Sequence, residues 1–344
     1  MDVKDILKDL VSFNTIKDKQ NKEIMDYIEN YLKKYDFKTK RINKCLIAYN
    51  SQNANIGFVG HTDTANYESW DGNPFELQEE NGKLIGLGSC DMKGGIAAIL
   101  STINKIDLSK NKIALYFTND EEISFEGIKT IKNMIKPPNI IIGEPTNVIP
   151  IYGTKGVLEL RIEFYGIKCH SSTPNKGISA IMETIKFITE LNNYYEKEIK
   201  KDLVNDFEIP YTTMNIGMIN GGETVNSVAG KCEITIDFRI VKEEQLTIIL
   251  KEIQTILKKY KSNLIVKQKI APKINNSDIT FLENISTKKE TKCYLTEGSF
   301  IDKNFIILGP GPDTSHQKNE FIEYSLLKKT ESLYQAIIEY YNKN

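Results

Sequence analysis

The chain has 344 residues, with 45 basic and 46 acidic side chains, 40% apolar residues and a formal net charge of −1. These values are those of an ordinary globular protein of about two domains, with enough apolar material for packed cores. They exclude a disordered chain, and the balanced charge removes the basic footprint of a nucleic-acid binder.

Residues 3–36 predict two helices, since Ile6, Leu7, Leu10 and Val11, then Ile24, Ile28, Tyr31 and Leu32, follow the helical period. Short strands are expected from Phe37 to Gly60, the last running straight into His61-Thr-Asp63. Asp91–Ile106 reads as a helix opened by an acid. Ile113–Thr118 reads as a buried strand followed by the acidic turn Asn119–Glu122, with a helix near Glu126–Met134. Asn139–Gly143 is another strand, ending at Glu144-Pro145. Strand, acidic turn, helix is the rhythm of an α/β sheet, whose sites form beyond the carboxyl ends of the strands.

After Gly153 the pattern changes. Strand Val157–Tyr165, helix Ala180–Glu196, strands Thr212–Ile219 and Glu233–Ile240, helix Leu246–Tyr260 and strand Leu264–Ile270 follow in turn. That β-α-β-β-α-β order is the ferredoxin-like plan. From about Lys273 the chain returns to a helix, a strand at Phe305–Leu308, a Gly-Pro-rich turn and a last helix. The expected organisation is a first catalytic part at 1–156, an inserted domain at 157–270 and a second catalytic part at 271–344.

No apolar run approaches the ~20 residues that span a bilayer, so no membrane association is expected. The opening MDVKDILKDLV carries acids where a secretory signal needs basic and then apolar residues, so a cytoplasmic location is expected. Five scattered cysteines (Cys45, Cys90, Cys169, Cys232, Cys293) read as reduced thiols rather than a disulfide framework.

The chemistry concentrates at strand ends and Gly-rich turns: His61, Asp63, Asp91, Glu121, Glu122, Glu144 and His316. One acid at such a place is commonly a helix cap or a solvated turn. Seven positions that combine two of only three histidines with five carboxylates suit zinc or a similar divalent ion. A carboxylate can bridge two such ions. Asp63 is placed to orient His61 from outside the ligand set.

The motifs GHTDT (60–64), GLGSCDMKGG (86–95), TNDEE (118–122), GEPTN (143–147), HSSTP (170–174) and GPGPDTSHQKNE (309–320) resemble the co-catalytic dizinc amidohydrolases. That family includes acetylornithine deacetylase and succinyl-diaminopimelate desuccinylase, and the resemblance runs in order along essentially the whole chain. GHTDT, the Tyr294–Gly298 segment followed by ILGPG (307–311), and His316–Glu320 look most like the acetylornithine deacetylases within it. The resemblance implies an α/β zinc-peptidase-like catalytic domain with an inserted ferredoxin-like α+β dimerisation domain. It further implies a homodimer and a small N-acyl amino acid as substrate. N-acetyl-L-ornithine stands first, with succinyl-diaminopimelate, acetyl-lysine, acetyl-citrulline or a dipeptide as alternatives.

Two zinc ions per chain are implied, with cobalt or manganese able to substitute. Asp91 would bridge them, His61 and Glu144 would complete one site, and Glu122 with His316 the other. Glu121 would be the general base and Asp63 would hold His61. His170 would stabilise the oxyanion in the partner's site. Asn226, in GGETVNSV, and Arg239, in DFR, match positions that hold substrate; Ser-Val-Ala after Asn226 departs from the commoner form, which often contains Pro. For His170 a local hydrogen bond, and for Arg239 an ion pair with a strand neighbour, are the competing readings. Glu297 is placed, on chemistry alone, as a carboxylate for the substrate's terminal ammonium, a solvated loop acid being the alternative.

Overall fold

The structure, a computed structural model, describes residues 1–16, 21–67, 69–275, 290–312 and 314–343. Two compact units emerge. Unit 1 comprises Met1–Tyr152, Asn275–Glu290 and Thr296–Asn344, and unit 2 comprises Gly153–Ile274 and Thr291–Leu295.

The chain opens with α1 (Val3–Ser12), α2 (Lys22–Lys33), β1 (Lys38–Ile42), β2 (Cys45–Tyr49) and β3 (Ile56–His61). Then come β4 (Gln78–Glu80), β5 (Lys83–Ile85), α3 (Lys93–Ile103), β6 (Ile113–Thr118), α4 (Glu126–Ile131) and β7 (Asn139–Ile142). Next are β8 (Ile151–Thr154), β9 (Gly156–Tyr165), α5 (Ala180–Tyr194), β10 (Thr213–Gly221), β11 (Lys231–Ile240), α6 (Glu243–Leu257) and β12 (Ser262–Ile270). The last are β13 (Lys273–Ile274), β14 (Glu290–Lys292), β15 (Asn304–Ile307), β16 (Phe321–Glu323) and α7 (Tyr324–Lys343). The helix expected soon after Lys273 falls largely on 276–289, outside the described residues.

In unit 1 the strands lie in the order β1-β2-β6-β3-β7-β15-β8. β3 runs parallel to β6 and β7, and β15 runs parallel to β7, so four neighbouring strands point their carboxyl ends the same way. These strands are buried on both faces, which is why they read as continuous apolar runs such as Ile113-Ala-Leu-Tyr-Phe117. One face packs Phe58, Leu115, Phe117 and Ile141 against α1, α2, α3 and α7. The other packs Val59, Tyr116, Ile140 and Ile142 with Ile128 and Ile131 of α4.

Helix α3 is buried all round, as its sequence KGGIAAILSTI, apolar on every face, requires. Its Gly95 allows the backbone of β7's end to approach: a Cβ there would lie 2.1 Å from the Gly143 carbonyl oxygen. The helix begins at Lys93, not at Asp91, and no side chain caps it; the Asp91 carboxylate faces the histidines instead. A small sheet, β16-β5-β4, was not foreseen.

Unit 2 is an antiparallel sheet, β10-β11-β9-β12, with α5 and α6 packed through Phe187, Leu191, Leu246, Ile249 and Ile253. Helix α5 continues into a π-helical turn at Tyr195–Ile199. The α/β unit and the ferredoxin-like α+β unit are those expected. Among the described residues, no helix is long and apolar enough to cross a membrane, and all five cysteines are free.

Candidate metal centre

The site is assembled at the carboxyl ends of the parallel strands. His61 is the last residue of β3, Glu121 and Glu122 follow β6, and Glu144 follows β7 by two residues. Asp91 sits in the turn before α3, with a cis peptide bond to Met92. His316 lies between β15 and β16 with φ +58°, a left-handed conformation uncommon for a residue with a Cβ. Such outliers persist where the surroundings over-determine them, often at functional sites.

Two groups of ligand-type atoms result, His61–Asp91–Glu144 and Asp91–Glu122–His316, each with its donor atoms within 4.8 Å of one another. Asp91 belongs to both. Its Oδ1 is 3.0 Å from His61 Nε2 and its Oδ2 is 3.8 Å from His316 Nε2. His61 Nε2 is 3.5 Å from Glu144 Oε1, and His316 Nε2 is 3.0 Å from Glu122 Oε2. His61 is wholly buried, its Nδ1 lying 3.0 Å from the Asp63 carbonyl oxygen and 3.6 Å from Asp63 Oδ1. With Nδ1 thus occupied, Nε2 is the nitrogen presented to Asp91 and Glu144. Asp63 Oδ2 accepts the backbone N–H of Glu122 at 3.1 Å, so this one carboxylate touches both ligand-bearing turns.

Burial and crowding of like charges set the electrostatics of the cluster. Burial works against a charged His61 ring, yet Glu144, Asp63 and Asp91 around it hold its pKa well above the ordinary imidazole range. Glu122 likewise raises His316 to about 9. Glu144 is pushed up to about 8, by burial and then by Asp91. Glu121 is raised well above the ordinary carboxyl range, by burial and then by Glu144, Asp91 and Glu122, although His61 opposes them. Crowded carboxylates hold protons more tightly than isolated ones, and for the same electrostatic reason they attract cations strongly. Among the described residues, buried Asp63 Oδ1 has no hydrogen-bond partner. Two imidazole nitrogens and three carboxylates fit a pair of divalent ions of the zinc type, which accept mixed nitrogen and oxygen donors.

A cavity of about 270 Å³ opens on Asp91, Glu122 and His316, with Tyr67 and Lys318 on its rim. A loop holding Tyr67 against Trp70 is tied down by Asp71, which meets Lys318 at 2.7 Å and Asn319 Nδ2 at 2.7 Å. Glu297 is not in that lining. It is 1% exposed, accepts a hydrogen bond from the Thr118 hydroxyl, and is pushed up to about 7 by burial. In this arrangement its carboxylate is enclosed in the protein and held by Thr118 rather than open to the cavity.

Unit 2 carries the remaining expected residues. His170 is exposed; its Nδ1 is 2.7 Å from Ser172 Oγ and accepts the Ser172 N–H, which leaves Nε2 as the donor. His170 bridges to Ser227, and the Ser171 N–H donates to the Asn226 carbonyl at 3.0 Å, so His170 and Asn226 share one loop cluster. Arg239 is not with them. It stands near the far end of β11, eight residues beyond Lys231 and hence ~27 Å along an extended strand. Its Nε donates to Asp237 at 2.8 Å, the strand-neighbour pairing considered as its alternative.

Two functional-looking groups escaped the sequence reading. Glu320 is buried and accepts three backbone N–H groups from the Asp91 turn. Lys93 is buried with Nζ 2.9 Å from the Phe13 carbonyl, its pKa lowered to about 7 by burial although Glu320 opposes. Only the Glu320 position in the last motif hinted at the first; nothing marked the second.

Comparison with known proteins agrees with this architecture. Residues 152–264 match the M20 peptidase dimerisation domain. Acetylornithine deacetylase of Buchnera aphidicola from Acyrthosiphon pisum is 30% identical over 357 residues, spanning 95% of this chain and 93% of the relative. The fold is that of a tripeptidase from Staphylococcus aureus, TM-score 0.83 at 19% identity over 99% of this chain and 98% of that one. It is also that of a dinuclear metal-binding M20 peptidase from Bacillus subtilis, TM-score 0.73 at 14% identity over 99% and 98%.

Proposed function

Because this chain belongs to the M20 family of metal-dependent hydrolases, with acetylornithine deacetylase among its relatives, we propose that it hydrolyses N-acetyl-L-ornithine to acetate and L-ornithine. The observation that carries the reaction class is Asp91, whose two oxygens each face a different histidine in a different ligand group. The substrate rests on the similarity to the deacetylase.

In this reading, His61, Glu144 and Asp91 would hold one zinc ion, and Asp91, Glu122 and His316 a second. When bound they supply Lewis acidity toward the amide carbonyl and ease the deprotonation of water. Glu121, whose proton affinity its carboxylate neighbours raise, takes a proton from the attacking water and returns it to the departing amine nitrogen as the C–N bond breaks. Water oxygen ends in acetate and the shuttled proton ends on ornithine, so the balance closes. Asp63 fixes the His61 ring and the Glu122 backbone. His170 would offer Nε2–H to the carbonyl oxygen in the partner subunit's site, and Asn226, from the same loop cluster, would hold the tetrahedral centre there. Arg239, with Nε on Asp237, presents its remaining nitrogens to the substrate carboxylate.

A homodimer through unit 2 is part of the proposal. Edge strand β10 exposes Met218 and Ile219, and α5 exposes Met182 and Ile185. These surfaces adjoin, since a Cβ at Gly221 would lie 3.0 Å from Ile181. An open strand edge with apolar side chains is a natural pairing surface.

The test is ornithine release from N-acetyl-L-ornithine by zinc-loaded protein, with N-succinyl-diaminopimelate in parallel. Chelator-sensitive turnover of the first alone supports the proposal. Turnover of another acylamino acid or a dipeptide instead keeps the reaction class and removes the substrate.

A further inference from the structure

The turn that carries Asp91 cannot satisfy its own backbone. Gly88 has φ +78°, and a Cβ there would lie 2.5 Å from Thr64 Cγ2, so the turn is held in a shape only glycine adopts. The N–H groups of Gly88, Cys90 and Asp91 point out of it, into the protein. All three end on one side chain: Glu320 Oε2 accepts from Gly88 at 2.8 Å, and Oε1 accepts from Cys90 at 2.7 Å and from Asp91 at 2.8 Å. The Glu320 carbonyl accepts two more bonds, from Gly86 N–H at 3.1 Å and the Ser89 hydroxyl at 3.3 Å. Glu320 is 4% exposed. It stands four residues after His316, in the segment whose Pro312 carbonyl accepts from Cys90 Sγ.

We propose that Glu320 is a positioning residue that fixes the spacing of Asp91 relative to His316, and thereby the capacity of the Asp91–Glu122–His316 group for its ion. The inference rests on the metal reading above and deepens it. A metal ligand pair from two separate loops has no covalent control of its separation; here one carboxylate grips the backbone of one ligand from the loop of the other. The His61–Asp91–Glu144 group has further anchors in β3 and β7, so it depends less on the clamp. Residues that support ligands in this way change metal affinity by ~10–100-fold when replaced.

The experiment compares wild type with Glu320→Gln, in which the amide nitrogen opposes one of the three N–H donors. Stepwise metal binding is followed by calorimetry and by the visible spectrum of the cobalt-loaded protein. The expected result is a metal-free protein that still melts in one cooperative transition, at a temperature somewhat lowered by the unsatisfied N–H, with one ion bound within about twofold of wild type and the other weakened at least about tenfold with an altered cobalt spectrum. At saturating metal, kcat falls while KM stays near wild type. Two ions bound as in wild type with an unchanged spectrum overturns the clamp, and so does equal weakening of both. A wild-type chain that takes up fewer than two ions overturns the metal reading itself. Should Glu320→Gln fail to fold, amide exchange in the wild type decides: slow exchange across residues 86–91 is expected, and rapid exchange overturns the clamp.

Discussion

Asp91 is the residue on which the site turns, since each of its oxygens serves a different histidine. Glu121 stands among the same carboxylates but belongs to neither ligand group. Glu121→Gln is therefore expected to keep bound metal and the melting temperature while kcat falls ~10²–10⁴-fold, measured by metal analysis and steady-state kinetics. Retained turnover would show that another group carries the proton. Buried Glu297 predicts the opposite kind of result: Glu297→Gln changes KM for acetylornithine and for a neutral acylamino acid alike. A selective rise for acetylornithine would instead support the substrate-facing role. The residues of the two ligand groups were legible in the sequence because each closes a strand or a Gly-rich turn with a chemically distinctive side chain. Glu320 was not, because it recognises backbone N–H groups about 230 positions away, and backbone donors leave no residue type to read.

Elements place these side chains, and their boundaries explain what the sequence could show. Strands β6 and β9 were legible from continuous or alternating apolar residues. Strand β4 is three exposed residues and β16 is equally short, too little pattern for any period to register. Helix α3 and the end of β7 meet at glycine, so Gly95→Ala should drive a methyl group into the Gly143 carbonyl. A loss of about 2–3 kcal/mol and weaker metal binding through displaced Glu144 are expected, read by thermal melts and metal titration. At the β1 edge of the sheet, Glu29 joins α2 to β1, taking hydrogen bonds from Arg41 Nε at 2.8 Å and Thr39 at 2.7 Å. Burial opposes its charge, but Lys33, Thr39 and Arg41 hold its carboxyl down at about 2, against 4.5 for a free glutamate. A depressed carboxyl stabilises the fold above pH 4.5, and that contribution disappears as pH falls through about 2. Glu29→Gln should thus cost about 1–2 kcal/mol at pH 7, and the difference from wild type should shrink across that acid range.

At the scale of the whole molecule, the two-unit plan was legible because the rhythm of elements changes at Gly153, from strand–turn–helix to long alternating strands. The resemblance implied a homodimer through the inserted domain but not its pairing surface, because an edge strand looks like any other strand in sequence. The exposed apolar side chains of β10 and α5 supply a measurement: Met218→Lys should yield a monomer in sedimentation experiments while unit 2 keeps its helix and strand content. A variant that sediments as the wild type does would remove β10 from the proposed interface.

The position of β15 has a consequence for synthesis. It lies inside the sheet, between β7 and β8, yet it leaves the ribosome about 160 residues after β7. Until then the flank of β7 that β15 will cover has no partner, while all of β9 to β12 has already emerged and can fold. The same late stretch brings His316 and Glu320. Unit 1 is begun first and finished last, so a nascent chain stalled before residue 304 would carry the His61–Asp91–Glu144 group complete, while the Asp91–Glu122–His316 group would still lack its histidine.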